Sequence, residues 1–567
     1  RCAERAAARA TIDGPDAALA DLTRLPDVEE ARERVEAHAL ADHRDETRVD
    51  RALAGVRLAR WLALPARAVS SSDLGAQVAR HRDTDAWVDR AVADAWSGVG
   101  DEGLSQGLRA VLGAARLRRD AHDSAFGLAV ATHERAGGGV PEGFVNVEDL
   151  LAGTVLPLAK EQPVLLVLAD GMSFAAATEV VDDVVRRYES WLECLPAGRR
   201  RRTAALAALP SLTNVSRASL LSGELTVGDQ TPERVGFEKL AKAHGVSGRL
   251  FHKLSLDTSE GGFALAHDIA GAVDDVAGTR LVACVLNTID DALERSDPGG
   301  TEWTADTVKH LRPLLDRARR AGRVVVLTSD HGHVVERREG RMIPVKGASS
   351  NRSRPHAEGP PPGEGEVRVT GRRVLLHNAD AVLVAEERLR YGPLKAGYHG
   401  GAAPAEVVVP VHVLTPGAPP EGWALAPPQS PDWWRTPVGA AGPRPAPEAG
   451  PSAPTLFDGV PVISDIAVAV VASPTYRDQR SRSARVTIQD GRITELLRAL
   501  LAAPANRLDP ESAAAALGIA AVQLPGALSM VQRLLNVEQY PVLSRDPDGA
   551  TVVLDSALLR EQFEVEA

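Results

Sequence analysis

Three apolar runs of this chain end on an acid. "LLVLADGMS" closes on Asp170, "LNTIDDALE" on Asp290, and "RVVVLTSDHGH" on Asp330, followed at once by His331. A single Asp at a strand end is usually a turn or a helix cap. Three in a row, one beside an imidazole, form a set that suits a divalent cation. Carboxylate and imidazole without thiolate fit zinc, manganese or a similar ion. A fourth stretch, "PSLTNVSRASLLSG" (Pro210–Gly223), puts Thr213 in the turn before a helical segment. A hydroxyl there sits in a field that favours anions, and a nearby divalent ion would make it a nucleophile. By itself, Thr213 reads more simply as the cap of that helix. A fifth, "AGYHGGAAPAEVVVPV", holds His399 in a glycine-lined turn, where a lone histidine would by default be a solvated loop residue.

Presenting these side chains together needs strands that end on one edge. From about 160 to 416, short apolar runs ("PVLLVLAD", "TAALAALP", "GRLFHKL", "TRLVACVLNTID", "RVVVLTSD", "EVVVPVHVL") alternate with helix-like stretches. Continuous apolar runs of that length fit strands buried on both faces, so the pattern predicts an α/β sandwich around a largely parallel sheet. In such a sheet ligands bind beyond the carboxyl ends of the strands, where the acids stand. Within this region "SSNRSRPHAEGPPPGEGEVRVTGRRVLL" reads as a flexible polar insertion followed by a hairpin.

The rest divides around that core. Residues 1–155 read as a helical N-terminal region with Trp61, Trp87 and Trp96 in its core, and 156–416 as the catalytic α/β/α sandwich. Residues 417–455 form a Pro/Ala-rich linker whose Trp433 and Trp434 could anchor it to a neighbouring surface. Residues 456–567 give three helix patterns and then a hairpin turning on Asp548-Gly549, which is a winged-helix-like order. The supposed recognition helix, "PGALSMVQRLLN", offers only Arg533, and the wing only Arg545. Phosphate contact needs clustered cations, so protein docking is the favoured reading. "YRDQRSRSAR", upstream, is the better basic patch for a nucleic acid.

Composition excludes several classes. The 567 residues carry a net charge of −11, which argues against a basic nucleic-acid coat. Only 3 cysteines occur, without paired spacing, which argues against a disulfide framework or zinc ribbon and suits a cytoplasmic protein. No apolar run is long enough for a membrane span. The chain opens on Arg1 and reads as a trimmed or downstream piece of a longer protein, in which a signal peptide would not be visible.

Taken in order, "DGMS", "LPSLTNVSRASLLSG", "NTIDDALE", "SDHGHV" and "YHGGAAPAEVVVPV" resemble the motifs of the alkaline phosphatase superfamily, and within it the PglZ family of type 2 BREX, or phage growth limitation, systems. The resemblance extends through "LPGALSMVQRLLNVEQYPVLSRDPDG". It implies a metal-dependent phosphoesterase in a bacterial anti-phage assembly, with other proteins of that system as partners. Asp170, Thr213, Asp330 and His331 would hold one metal and Asp290 and His399 a second, with zinc expected and manganese as the other choice. Superfamily members usually carry a histidine four residues after the Asp290 position. Here Glu294 stands there and Asp291 adjoins Asp290, so either acid, or a single-metal site, is open. His333, Asn214, Asn287 and Ser173 are secondary candidates, as direct or as supporting groups. His252, His267, His310 and His356 read as ordinary surface or core histidines. No arginine stands out as a clamp for a monoester dianion, which makes a phosphodiester at least as good a substrate. The alternatives are a scaffold that keeps the fold without turnover, and a sulfatase, which fits less because no Cys or Ser occupies the nucleophile position.

Overall fold

A computed structural model describes residues 25–36, 47–66, 69–98, 101–187, 191–256, 265–295, 302–337, 339–345, 347–357, 359–435, 466–482, 488–503, 506–519, 523–536, 541–545 and 551–563. It comprises two compact units, Arg1–Ala441 and Gly442–Ala567.

The first unit is built on a nine-stranded sheet. Its strands are β1 (Val145–Asn146), β2 (Val164–Ala169), β3 (Leu192–Pro196), β4 (Thr203–Leu206), β5 (Gly248–Phe251), β6 (Leu281–Leu286), β7 (Val324–Thr328), β8 (Val408–Thr415) and β9 (Trp423–Leu425). The order is β1-β4-β8-β7-β2-β6-β5, with β3 continuing along β8 and β9 outside it. β2 runs parallel to β6 and β7, pairing Val164 with Leu281 and with Val324. All six apolar runs read from the sequence are strands, and β2, β6 and β7 are buried at every position. The exception to the parallel pattern is "EVVVPVHVL". It forms β8, which lies antiparallel between β4 and β7. A helix-flanked apolar run has the same signature in either direction, so the sequence could not distinguish the two.

Because the sheet is buried on both faces, its two sides form separate cores. One packs Val167, Cys284 and Leu327 against Val180, Leu314 and Leu315. The other packs Leu166, Ala283 and Val326 against Leu150, Leu220 and Phe237. With the sheet edge-on between two helical layers, the loops after β2, β4, β6 and β7 emerge at the same end.

Among the described N-terminal residues the structure is helical apart from β1, and Trp61 and Trp87 are buried. Trp96 is only partly covered. Trp433 and Trp434 close onto this helical layer. Trp434 meets Trp87 edge-on at 4.9 Å between ring centroids, and the Arg57 guanidinium lies 4.3 Å from the Trp434 ring.

The segment read as a flexible insertion is ordered instead. Residues 353–355, 380–384 and 366–370 form a three-stranded antiparallel sheet in that order. Its arginines look solvated in the sequence, but Arg352 and Arg354 are 0% exposed. Each is buried because a carboxylate is buried with it. Arg352 meets Glu406 through Nε at 3.0 Å and Nη2 at 2.8 Å, and Arg354 meets Glu366. Arg352 also donates to the carbonyls of Glu386, Glu387 and Leu389.

The second unit follows the winged-helix order: helix Asp490–Ala502, strand Arg507–Leu508, helices Pro510–Leu517 and Leu524–Leu535, then strands Leu543–Arg545 and Val552–Leu554. The strands pair in one three-stranded sheet. The expected turn residues Asp548 and Gly549 lie outside the described residues. In the basic stretch, helix Pro474–Arg482 spends Arg477 on the Ala472 carbonyl, and Arg480 on the Ile488 carbonyl and the Asp490 carboxylate.

Removing one member of a buried ion pair strands the other, whereas removing both does not. Arg352→Met alone should therefore cost the first unit about 3–5 kcal/mol, and the double change Arg352→Met/Glu406→Leu distinctly less. Urea unfolding measures both, and equal losses would refute the argument.

Candidate metal and nucleophile centre

The loops at the carboxyl ends of four strands converge. Asp170 follows β2 directly. Its neighbour Gly171 adopts φ +72°, a left-handed turn that favours glycine, and packs beside Asp290. Asp330 and His331 follow β7. Gly332, behind them, is required for space: a Cβ there would sit 2.0 Å from the Ala405 carbonyl oxygen. Thr213 is the first residue of helix Thr213–Ser222, with Leu212 as its cap. Asp290 stands in the first turn of helix Thr288–Arg295, after β6. His399 comes from the loop before β8. That loop is tied to the Thr213 loop through Ser211, whose Oγ donates to the Gly401 carbonyl and accepts from the Gly400 amide.

Asp170, Asp330 and His331 are buried, and their ligand atoms lie within 4.8 Å of one another. Thr213 Oγ1 is 3.0 Å from His331 Nε2 and 3.4 Å from Asp170 Oδ1. His399 Nε2 is 3.5 Å from Asp290 Oδ1, and the His399 and His331 rings stack at 4.3 Å. Both imidazoles are fixed through Nδ1, His331 to the Gly332 carbonyl and His399 to that of Ser211. Such anchoring leaves Nε2 as the free ligand atom of a metal-binding histidine.

The electrostatics are those of carboxylates crowded together away from water. Burial pushes the Asp330 carboxyl up to about 7. Burial and the neighbouring Asp330 do the same to Asp170, also to about 7, outweighing Arg217 beside it. Burial lowers His399, and His331 beside it adds to the effect. Asp290 Oδ1 and Asp330 Oδ2 are buried with no hydrogen-bond partner. Uncompensated buried acceptors are costly. These two face the imidazoles and fit a divalent ion in chemistry and placement.

The remaining candidates separate. Glu294 turns outward to Lys395 Nζ at 2.9 Å, and Asp291 pairs with Lys253. Neither reaches the Asp290–His399 pair. Asn287 Nδ2 donates to Asp170 Oδ2 at 2.7 Å. His333 is buried, with Nδ1 2.6 Å from the Gly171 carbonyl, and supports that loop from behind. Ser173 Oγ accepts the Ala176 amide, and Asn214 is exposed. His356 pairs with Asp380 at 3.3 Å.

Sequence reasoning missed the charge behind Asp170. Arg217, on the helix that begins at Thr213, places Nη1 2.5 Å from Asp170 Oδ2 and Nε 2.9 Å from Glu233, which His252 meets at 2.7 Å. The i+4 spacing from Thr213 was the available signal, since it puts both residues on one helical face. A cleft of about 450 Å³ opens beside His399 and Asp290, walled by Leu212, Leu293, Ser350, Tyr391, Lys395 and Tyr398.

Residues 150–414 match the model of the BREX system PglZ alkaline phosphatase-like domain, and residues 462–564 that of the BREX system PglZ C-terminal domain. No curated protein matches the chain. Among solved structures, murine ectonucleotide pyrophosphatase/phosphodiesterase 5 is similar at 10% identity and a TM-score of 0.30, over 45% of this chain and 88% of that one. Phosphonoacetate hydrolase from Sinorhizobium meliloti 1021 is similar at 15% identity and a TM-score of 0.30, over 48% of this chain and 94% of that one. With both of its principal regions matched by models of one family, the chain belongs to the PglZ family of BREX systems.

Proposed function

We propose that this protein is a metal-dependent phosphoric ester hydrolase of a type 2 BREX anti-phage system, with Thr213 as its nucleophile. The observation that carries the reading is the placement of Thr213 Oγ1 within 3.0 Å of His331 Nε2 and 3.4 Å of Asp170 Oδ1, beside two unpartnered carboxylate oxygens. Asp170, Asp330 and His331 would hold a zinc or manganese ion with Thr213, and Asp290 and His399 a second. Bound there, the cation supplies charge neutralisation and acidifies the Thr213 hydroxyl. Thr213 Oγ1 attacks phosphorus in line. The Oγ–P bond forms, the ester P–O bond breaks, and the departing alcohol takes a proton. Water then attacks the phosphothreonine, releasing phosphate or a monoester and restoring the hydroxyl.

Phosphodiesters are the favoured substrates. The Arg217 guanidinium, beside Asp170, is already bonded to Asp170 and Glu233, and the adjoining cleft has room for a second esterifying group. The protein would act in the cytoplasm with other proteins of the defence system. No helix among the described residues is long and apolar enough to cross a membrane. A nucleic acid would be a further partner, through the basic stretch 476–485. The second reading, a scaffold without turnover, draws on Glu294 and Asp291 being held by lysines, which leaves the Asp290–His399 pair short of a third side chain.

With zinc or manganese present, hydrolysis of bis(p-nitrophenyl) phosphate should fall about a thousandfold or more in Thr213→Ala, with bound metal measured by elemental analysis. An active Thr213→Ala enzyme would remove the nucleophile assignment. Wild-type protein that holds metal yet hydrolyses neither mono- nor diesters would favour the scaffold.

A second prediction concerns pH. Asp170 and Asp330 titrate near 7 when folded, above the ordinary value of 3.8, so the folded state holds more protons than the unfolded one between those limits. Stability of the metal-free protein therefore falls as pH rises from about 4 through 7. Chelator-treated protein should be harder to unfold in urea at pH 5.5 than at pH 8. Asp330→Asn should reduce that slope, and zinc should restore more stability at pH 8 than at pH 6. An Asp330→Asn slope equal to the wild type's would count against it.

A further inference from the structure

Behind the proposed centre runs a chain of buried charges that the mechanism does not use. Arg217 has a side chain 9% exposed, and the Glu233 side chain is fully buried. The guanidinium donates to Asp170 through Nη1 at 2.5 Å and to Glu233 through Nε at 2.9 Å, so it is held at two points. Glu233 comes from helix Gln230–Ala243, and its other oxygen lies 2.7 Å from His252 Nε2, just past β5. Asn287 joins from the opposite side, donating to the same Asp170 Oδ2 at 2.7 Å.

The result is a division of labour between the two oxygens of Asp170. Oδ2 takes both donors from the protein. Oδ1 is left facing Thr213 Oγ1 at 3.4 Å and His331 Nε2 at 3.6 Å. A carboxylate held in this way offers one oxygen, in one direction. A free carboxylate could rotate, or chelate through both. We infer that Arg217, braced by Glu233 and His252, is a positioning residue that restricts Asp170 to one-oxygen coordination at the metal centre. The inference rests on the metal-site reading above.

Two alternatives make different demands. Were the chain only a buried ion-pair network, breaking it would lower stability and leave the centre unchanged. Were Arg217 only a nearby positive charge, removing it would draw a cation in more tightly. A brace predicts a looser, altered centre. Groups that orient metal ligands typically cost 10–100-fold in affinity when changed.

The test uses cobalt(II), whose visible absorption reports coordination geometry, with affinity measured by chelator competition on the full chain. Arg217→Lys keeps the charge but cannot span Asp170 and Glu233, and should bind cobalt about 10–100-fold more weakly with a changed spectrum. Glu233→Gln does not touch Asp170 and decides the matter if Arg217→Lys fails to fold. It should shift both readouts in the same direction, by less. His252→Gln, the outermost change, should shift them least. Variants with wild-type affinity and spectrum but lower melting temperatures would overturn the brace. So would tighter cobalt binding in Arg217→Gln. If the wild-type protein takes up no cobalt, the metal-site reading fails and the brace with it.

Discussion

Two carboxylates packed against each other away from water are what the rest of this site answers to. Asp170 and Asp330 are both buried; burial disfavours ionisation of each, Asp330 adds to the effect on Asp170, and Asp290 adds to that on Asp330. The protein meets this with one guanidinium and with histidines turned to present a single nitrogen. It leaves two carboxylate oxygens unsatisfied, Asp290 Oδ1 and Asp330 Oδ2. Such a cluster weakens the fold where both carboxyls must ionise. On the proposed reading a divalent ion would relieve the same desolvation.

The same economy of paired burial recurs away from the centre. Arg352 and Glu406 are buried together and hold the loop that carries His399, since Glu406 also accepts from the Gly401 amide. Arg217 and Glu233 are buried together behind Asp170. Each pair touches an element of the centre, the Gly401 loop in one case and Asp170 in the other. Exposed acids near the site behave oppositely. Glu294 and Asp291 find lysines at the rim, where surface ion pairs are worth little. The Asp290–His399 pair is thus the less completely built half of the centre.

Much of the architecture was legible because burial on both faces forces long apolar runs, and the strands after which Asp170, Asp290 and Asp330 stand carry them plainly. The convergence of those acids followed from the rule for sheet edges. The direction of β8 was not legible, because an apolar run has the same pattern read in either direction. A hairpin was legible within the 353–384 sheet, whose strands 366–370 and 380–384 pair antiparallel, but the strand at 353–355 was missed because its arginines look like solvent-facing residues until the carboxylates buried with them are known. Arg217 was passed over for the same reason, although it lies one helical turn beyond Thr213.

By itself, the sequence determined which residue types stand at which strand ends, and hence the groups on offer: carboxylates, imidazoles and a hydroxyl, with no thiolate. Those properties are local, fixed by side-chain identity and by the period of the apolar pattern. Only the tertiary structure decided which oxygen of Asp170 faces the centre, that Glu294 and Asp291 turn to lysines, and that Gly332 is required by the Ala405 carbonyl. These outcomes depend on contacts between residues far apart in the chain, Asp170 with Arg217 and Asn287 or Glu294 with Lys395. Distances of that kind are set by how the layers pack, and no short stretch of sequence contains them.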